Sequence, residues 1–562
     1  MENKEISRTL KLLAQLMELH EENPFKIKSV ANASFKVDKL PFKLKDKAHD
    51  ELDKIDGIGK SIATKVIELF TTGGLKELND LVAITPIGIL DMLSIKGLGP
   101  KKIIIIWKTL GIENVGELYY ACNENRLIEA KGFGLKTQEE IKKAIEFKMA
   151  SNGRFLYARL EPIVAQYQDL LAKLSNATEI LVTGEFRRKC EIIDELSFII
   201  VNTDFKLFTA QIQQLEGISN LEITPKSIRF KDENSLTIKC FEADETTLAY
   251  RLFETTGVNA HVEKVKALLP ANQNQYPTET AIYEAAGLAY IEPELREDLN
   301  EIALAQTKQL PSLITYADLK GTLHNHSTWS DGVHSIEEMA LYCRDILKLE
   351  YLGLCDHSKT AVYANGLSIE RVLQQHEEIE KLNQKLAPFK IFKGIESDIL
   401  SDGGLDYPDE ILAKFDFVVA SVHSNLKMDE EKATQRLIKA IENPYATILG
   451  HPTGRLLLSR SGYPLDFKKI IDACAANQVA IEINANPLRL DLDWRWHQYA
   501  LEKGVLLAIN PDAHRNEGFY DMHYGVYVAR KGGLTKEMCL NSFNLAAIDS
   551  YFKKSNIPSL KQ

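Results

Sequence analysis

Residues 415–423 read FDFVVASVH, a short apolar run rich in β-branched residues that ends in a histidine. Similar runs, each of which carries a histidine or carboxylate, recur from residue 320 onward. They are EYLGLCDH at 350–357, FKIFKGIES at 389–397, ATILGHP at 446–452, VAIEINAN at 479–486 and VLLAINPDAH at 505–514. Helical patterns separate the runs. Strand and helix units that alternate in this way predict a parallel β/α barrel.

Residues of the metal-ligand type cluster in or just after these runs and in TLHNHSTWSDG at 322–332. The nine are His324, His326, Asp331, His357, Glu396, His423, His451, Asp512 and His514. Because active sites of parallel barrels lie at the carboxyl ends of the strands, we expect these side chains to meet. Imidazole and carboxylate ligands suit manganese, zinc or iron, and nine could hold three ions. Such ions activate water and neutralise phosphate oxygens, so the pattern predicts phosphoester hydrolysis.

Three Gly-X-Gly segments mark the first 150 residues, which otherwise read as short helices. They are IDGIGKSIATKV with Gly57 and Gly59, IKGLGPKKIIII with Gly97 and Gly99, and AKGFGLKTQEEI with Gly132 and Gly134. This is the helix-hairpin-helix pattern, in which N–H groups at a helix start face a DNA phosphate. Lys60, Lys101, Lys102 and Lys136 could add charge there. A plain helix connector is the alternative, which three copies make less favoured. We expect sequence-independent DNA binding.

Charge and composition limit the remaining possibilities. The net charge is −11, but residues 1–150 carry 24 Lys and Arg against 22 Asp and Glu, which leaves −13 for the rest. DNA contacts are therefore expected near the N-terminus. Hydrophobic content of 45% is ordinary for a globular protein, and the apolar runs are too short to span a membrane. Seven scattered cysteines without a CxxC pair predict reduced thiols and a cytoplasmic location.

Short β-branched runs between about 178 and 260 predict a small α+β domain. Within it, GEFRRKCEIIDELSFII at 184–200 resembles the nucleotidyltransferase motif of family X DNA polymerases, and Arg187, Arg188 and Glu191 match. In that family, a Gly-Ser pair opens the motif, and three aspartates on two strands bind magnesium. The departures here are Glu185 for the serine, Glu195 and Ser197 at the paired aspartates, and Thr237 for the third aspartate.

Loss of two of three carboxylates predicts a polymerase-like fold with little or no polymerisation and no bound magnesium. Asp194 is one residue out of register and would point to the other face of a strand. The alternative is a site rebuilt from Asp194, Glu195 and either Asp232 or Glu242. A further match is Lys65 in IATKVIELF, which lies where related enzymes carry a Schiff-base lysine; a surface lysine is the alternative.

The C-terminal motifs resemble the polymerase-and-histidinol-phosphatase (PHP) domain, a distorted seven-stranded β/α barrel with three metal ions. The resemblance implies roles for all nine residues. His324, His326, Glu396 and Asp512 would hold one ion and act in catalysis, Glu396 with His423 and His451 a second, and Asp331, His357 and His514 the third. Arg455 in HPTGRLLLSR and Lys359 are candidate phosphate contacts, with plain surface charge as the alternative.

The order of parts resembles bacterial family X polymerases with an appended PHP domain. It predicts a helix-hairpin-helix lyase-like domain at 1–85, a fingers-like helix-hairpin-helix region at 86–150, a degenerate nucleotidyltransferase domain at 151–312 and the PHP domain at 313–562. The resemblance implies a 3′-5′ exonuclease, with related 3′-phosphatase or abasic-site endonuclease activity, in repair of gapped or nicked DNA. The alternatives are an active gap-filling polymerase, a small-molecule phosphatase of the histidinol-phosphatase type and a non-enzymatic DNA scaffold.

Overall fold

The computed structural model describes residues 1–95, 97–128, 130–150, 153–271 and 275–555. It forms two compact units, Met1–Glu146 and Phe147–Gln562. The seven cysteines are free thiols, and six of them are buried. No helix in these described ranges is long and apolar enough to cross a bilayer.

The first unit is helical, as predicted. Its α-helices are α1 (Asn3–Leu19), α2 (Pro24–Asp38), α3 (Lys60–Thr72), α4 (Lys76–Ile84), α5 (Ile87–Met92), α6 (Pro100–Ile104), α7 (Val115–Asn123) and α8 (Leu135–Ala150), the last of which runs past the boundary of the unit. The first glycine of each Gly-X-Gly hairpin has φ between 85° and 91°, a left-handed conformation that favours glycine. In the first two hairpins the second glycine is the N-cap of the next helix, α3 or α6.

The second unit begins with a mixed sheet and its helices. The strands are β1 (Phe155–Leu156), β2 (Glu179–Thr183), β3 (Ile192–Ile193), β4 (Glu195–Val201), β5 (Ser219–Thr224), β6 (Ser227–Lys231) and β7 (Thr237–Ala243). The helices are α9 (Tyr157–Ser175), α10 (Gly184–Arg187), α11 (Phe205–Gln213), α12 (Leu248–Thr256), α13 (Asn259–Lys266), α14 (Glu279–Ala285) and α15 (Glu301–Gln306). Five strands pair in the order β2-β4-β7-β6-β5, and only β4 and β7 pair in parallel. Alternate residues of β4, such as Leu196 and Phe198, enter the core.

Seven parallel strands in sequential order form the C-terminal barrel. They are β8 (Gly321–Thr322), β9 (Tyr351–Leu354), β10 (Lys390–Asp398), β11 (Phe417–Ser421), β12 (Ile448–Leu449), β13 (Ala480–Asn484) and β14 (Leu507–Asn510). The backbone N–H of His326 donates to Ala513 O at 2.9 Å, which joins the first strand to the last and nearly closes the barrel. The predicted barrel is confirmed, and β8 is a strand that the residue pattern did not reveal.

Helices lie between and after the barrel strands. They are α16 (Ile336–Leu341), α17 (Ile369–Leu386), α18 (Asp409–Leu412), α19 (Glu430–Ile441), α20 (Phe467–Asn477), α21 (His497–Glu502), α22 (Met522–Lys531) and α23 (Leu545–Ser555). Helix α22 also contacts the part of this unit that precedes the barrel. The Nζ of buried Lys531 donates to Arg188 O at 3.1 Å and to Glu297. The barrel therefore docks on the nucleotidyltransferase-like motif through buried charges.

Candidate metal centre

All nine candidate ligands lie at the carboxyl-terminal rim of the barrel. Six strands supply them: His324, His326 and Asp331 follow β8, His357 follows β9, Glu396 lies within β10, His423 follows β11, His451 follows β12, and Asp512 and His514 follow β14. Carboxyl ends of parallel strands converge on one rim, so residues almost 200 positions apart in the chain become neighbours.

Glu396 lies at the centre of the cluster. Its Oε1 is 2.9 Å from His451 Nε2, 3.1 Å from His423 Nε2 and 3.3 Å from His324 Nε2. Its Oε2 is 2.9 Å from His357 Nδ1. One buried carboxylate thus faces four imidazoles with both oxygens, which is the arrangement of a carboxylate that can bridge two cations.

Asp331 and Asp512 lie on the other side of the centre. Asp512 Oδ1 is 3.1 Å from His326 Nε2. Asp331 Oδ1 is 3.4 Å from His514 Nε2, and its Oδ2 is 3.6 Å from His357 Nε2. The His326 ring stacks with the rings of His357 and His514, with centroid distances of 4.4 and 4.2 Å. Positive charge on the neighbouring His357 and His514 rings would repel a charged His326, so the neutral form of His326 is favoured.

Three groups in the described part of the chain offer ligand atoms within 4.8 Å of one another. They are His326, Asp331, His357 and His514; His324, His326 and Asp512; and His357, Glu396 and His423. His326 Nδ1 and Asp331 Oδ2 are buried and make no hydrogen bond to any described residue. Buried polar atoms normally have hydrogen-bond partners, so these atoms fit bound cations. Nitrogen and carboxylate donors suit manganese, zinc or iron.

Burial and paired charges set the protonation of the centre. Burial alone would lower the pKa of His423, but the carboxylates of Glu396 and Asp398 raise it to about 9. Burial and the neighbouring imidazoles lower the pKa of His326 to about 3. His326 is therefore neutral at pH 7, the form in which an imidazole binds a metal. Burial would raise the pKa of Glu396, but the histidines hold it well below its usual value.

Two buried carboxylates that the sequence analysis did not select hold ligand rings in place. Glu482 in β13 accepts hydrogen bonds from His324 Nδ1 and from the backbone N–H of His451, both at 2.7 Å. Asp398, at the end of β10, accepts from His423 Nδ1 at 2.6 Å. Metal-binding histidines commonly donate their second ring N–H in this way. Both carboxylates lie within strands, and the sequence carries no signal that links either one to an imidazole.

Asp356 ties the loop after β8 to the loop after β9. This buried carboxylate accepts the backbone N–H and the hydroxyl of Ser327 at 2.8 and 2.7 Å. It also accepts the N–H of Ser330 at 3.1 Å and Gln375 Nε2 at 2.7 Å. The segment that ends at Asp331 is therefore anchored beside His357, which follows Asp356 directly in the chain.

The two candidate phosphate contacts differ in their surroundings. Arg455 binds Asp493 and donates to backbone carbonyl groups, so its guanidinium is engaged within its own region of the barrel. Lys359 is exposed two residues after a ligand. Arg489, which the sequence analysis did not select, is buried with its Nε 3.9 Å from Asp512 Oδ2. A buried guanidinium at that distance adds positive charge beside the centre.

The site where the family resemblance would place the polymerase metals differs in charge from the centre at the barrel rim. Ser197 donates to Glu195 Oε1 at 3.2 Å, and Thr237 pairs directly with Glu195 across β4 and β7. Arg229 Nε lies 2.7 Å from Glu195 Oε2, and Lys239 Nζ lies 3.9 Å from Oε1. One carboxylate therefore faces two cations, and this net positive charge would oppose a divalent metal.

The other carboxylates considered for this site point elsewhere. Asp194 is exposed and pairs with an arginine at 2.8 Å. Asp232 accepts from the Tyr167 hydroxyl at 2.5 Å. Glu242 has the opposite parity to Thr237 along β7, so it belongs to the other face of the sheet. Within the ranges that the structure describes, no group of three metal-ligating side chains gathers here.

The polymerase-motif arginines are engaged in ion pairs. Arg187 binds Glu279 with both Nη atoms, and Arg188 Nε lies 2.9 Å from Glu297. Glu185, in the serine position, accepts two backbone N–H groups at the start of β4, at 2.7 and 3.2 Å. Burial raises the pKa of Glu185. The motif thus serves internal contacts in this chain.

Most of the hairpin glycines have open space beside their Cα atoms. A Cβ added to Gly59, Gly97, Gly99, Gly132 or Gly134 would meet nothing within 4 Å. Gly57 differs, because its Cβ would lie 2.8 Å from the Lys36 side chain. Lys60, Lys101 and Lys136 are exposed at the starts of the following helices, whereas Lys65 is mostly buried and paired with Glu77.

Known proteins resemble this chain both in its N-terminal part and over its whole length. A helix-hairpin-helix domain matches residues 1–75, and a SAM-like helix-hairpin-helix tandem matches 89–146. The DNA polymerase/3′-5′ exonuclease PolX of Bacillus subtilis (strain 168) is 33% identical over 583 residues, which cover 99% of this chain and 100% of the relative. The chain belongs to the PolX family.

The PHP part of this PolX family member is also similar to separate proteins. A probable phosphatase of Thermoanaerobacter sp. (strain X514) is 31% identical over 186 residues, or 31% of this chain and 73% of the relative. A probable phosphatase of Acetivibrio thermocellus is 27% identical over 245 residues, or 41% of this chain and 94% of the relative. The expected family, a family X polymerase with a PHP domain, is confirmed.

Proposed function

We propose that this PolX family member hydrolyses DNA phosphodiesters at the barrel rim, as a 3′-5′ exonuclease that acts on gapped or nicked DNA during repair in the cytoplasm. The observation that carries the proposal is the convergence of nine histidine and carboxylate side chains at that rim. A 3′-phosphatase or an abasic-site endonuclease would use the same hydrolytic chemistry at the same centre.

The residues of the rim have distinct tasks in this proposal. Three divalent ions, when bound, would activate a water molecule and neutralise the charge of the phosphate oxygens. His326 contributes a neutral imidazole, and Glu396 contributes an ionised carboxylate that would help to hold the ions. Glu482 and Asp398 fix the rings of His324 and His423, which preserves the geometry while the substrate exchanges.

The helix-hairpin-helix motifs would hold the DNA backbone. Open N–H groups at helix starts bind phosphate, and the exposed Lys60 and Lys101 add charge. Such contacts carry no sequence information, and they weaken as the salt concentration rises. The matches of two helix-hairpin-helix family models support this role.

Template-directed synthesis would be weak or absent, and the middle domain would serve as a DNA platform. The pairing of Glu195 with Arg229 and Lys239 supports this view, because it leaves no negative site for magnesium. The rival is an active gap-filling polymerase, which the name of the Bacillus subtilis relative favours. Nucleotide incorporation by wild type and Glu195→Ala decides between the two.

A small-molecule phosphatase is the second rival, favoured by the similarity to probable phosphatases. One gel assay addresses all three functions. A 5′-labelled gapped duplex is incubated with manganese, with EDTA, or with manganese and four deoxynucleotides, using wild type, His324→Ala and the control His334→Ala. His334 is a neighbouring histidine outside the ligand set.

Stepwise shortening that requires metal and His324, but not His334, is the expected result. Extension by wild type that survives His324→Ala would establish a working polymerase and refute the carboxylate argument. Absence of any product would favour the small-molecule phosphatase, which histidinol phosphate then tests directly.

A further inference from the structure

The loop at 359–366 places two exposed apolar side chains beside the metal centre. Val362 is 81% exposed and Tyr363 is 37% exposed, in a single 3-10 turn that spans Val362–Ala364. The Tyr363 ring centroid lies 6.1 Å from that of His357 and 6.5 Å from that of His423. The mouth of a strongly polar site thus has an apolar edge.

The first half of this loop is fixed to the metal centre itself. Thr360 Oγ1 donates to Asp398 at 2.6 Å, and Asp398 also accepts the His423 Nδ1 hydrogen bond. Ala361, just before the turn, and Ala364, its last residue, are both buried. The exposed pair is therefore held outward by anchors on both sides.

The second half is fixed just as firmly. A Cβ on Gly366 would lie 2.0 Å from Ser358 O, so the backbone approach there requires glycine. Arg371 Nη1 donates to Asn365 O at 2.8 Å, which ties the loop to the start of α17. Asn365 Nδ2 donates to Trp329 O at 3.3 Å. The loop cannot fold inward to hide its apolar residues without breaking these contacts.

We propose that Val362 and Tyr363 form a platform for a nucleobase that flanks the scissile phosphodiester. This inference rests on the proposed function and adds the means by which the site selects a nucleic acid. Metal ions and their ligands recognise the phosphate, which every phosphoester shares. The exposed Tyr363 ring, whose centroid lies 6.1 Å from that of His357, matches the flat face of a base, and stacking tolerates all four bases. Val362, its neighbour in the chain, adds exposed apolar surface.

The test compares substrates that differ only in one base. A 3′ end with natural nucleotides is compared with ends in which the last or the penultimate nucleotide is an abasic tetrahydrofuran residue. For wild type we expect kcat/KM to fall about 5- to 100-fold for one of the abasic ends. The Val362→Ser, Tyr363→Ala double variant should cleave natural and abasic ends at similar rates, because it has lost the platform.

Two further variants separate stacking from general damage. Tyr363→Phe keeps the ring and should keep most of the base dependence. Tyr316→Ala removes a barrel tyrosine of almost equal exposure, 36%, and should leave the base dependence unchanged.

A spectroscopic readout removes the dependence on turnover. An oligonucleotide with 2-aminopurine at the responsive position and a slowly hydrolysed phosphorothioate linkage should lose fluorescence on binding wild type, and lose less on binding Tyr363→Ala. Wild type that cleaves natural and abasic ends equally would overturn the platform and leave the exonuclease in place. Wild type that cleaves no oligonucleotide would refute the proposed function.

Discussion

Glu482 offers the sharpest test of the metal centre, because it touches two candidate ligands without itself belonging to the ligand set. Its carboxylate accepts the Nδ1 hydrogen bond of His324 and the backbone N–H of His451, both at 2.7 Å. It also accepts Asn510 Nδ2 at 3.1 Å. Glu482→Gln keeps the size of the side chain but replaces one accepting oxygen by an NH₂ group.

The magnitude follows from these contacts. The amide introduced by Glu482→Gln would direct its NH₂ group toward His324, His451 or Asn510, all of which donate to this position in wild type. At least one hydrogen bond is lost, and the negative charge that fixes the His324 ring disappears. Loss of such an outer carboxylate typically lowers metal affinity or activity by about 10- to 100-fold, or about 1.4 to 2.7 kcal/mol.

The assay is manganese binding by competition with a fluorescent chelator, together with metal content after dialysis. Glu350→Gln is the matched control, since Glu350 precedes β9 at the opposite end of the barrel and accepts the Leu545 N–H at 2.9 Å. We expect weaker metal binding in Glu482→Gln only. Unchanged affinity in a folded Glu482→Gln protein would refute the argument that this carboxylate organises the centre.

Three further predictions concern binding, stability and pH. Lys101→Ala should weaken DNA binding and reduce the salt slope of log K by about 1, as measured by fluorescence anisotropy at several salt concentrations. Glu297→Ala removes the carboxylate that pairs with Arg188 and with Lys531, and should lower the free energy of unfolding by about 3 to 5 kcal/mol in urea titrations. A loss smaller than about 1 kcal/mol would contradict the buried-pair account. Burial would lower the pKa of His523, but Glu161 at 2.9 Å raises it in the folded protein. The His523–Glu161 pair therefore stabilises the fold fully at pH values below the pKa of His523 in the unfolded chain, and this stabilisation is lost as the pH rises through the higher pKa of the folded state. The melting temperature of wild type should therefore exceed that of His523→Gln more at pH 6 than at pH 9, and an equal difference at both would show that the pair does not titrate.

Much of the fold could be predicted because its signals are local. Six of the seven barrel strands stand out as apolar runs, since a strand buried on both faces needs apolar side chains throughout. β8 has only two residues, Gly321 and Thr322, and no run of that length is visible in a sequence. β5 carries no such apolar signal, because it is an exposed edge strand with polar residues, and pairing with β6 determines its conformation.

Candidate ligands could be found in the same way, because parallel strands carry functional residues at their carboxyl ends. The carboxylates that hold those ligands in place could not be found from the sequence. Glu482 and Asp398 look like ordinary strand residues, and their role depends on which imidazole each one faces. The same limit applies to the polymerase-like motif. Ser197 and Thr237 are visible in the sequence as departures from the family pattern, but the ion pairs of Glu195 with Arg229 and Lys239 depend on strand register.

The sequence by itself determined the fold class, the helix-hairpin-helix motifs and the identity of nine candidate ligands. These follow from residue type and short-range periodicity. Only the tertiary structure decided which ligand atoms face one another, which carboxylates fix them, and that the motif arginines bind acidic residues of their own chain. Those outcomes depend on barrel closure and sheet register, which bring together residues that are distant in sequence, and periodicity along the chain carries no information about that pairing.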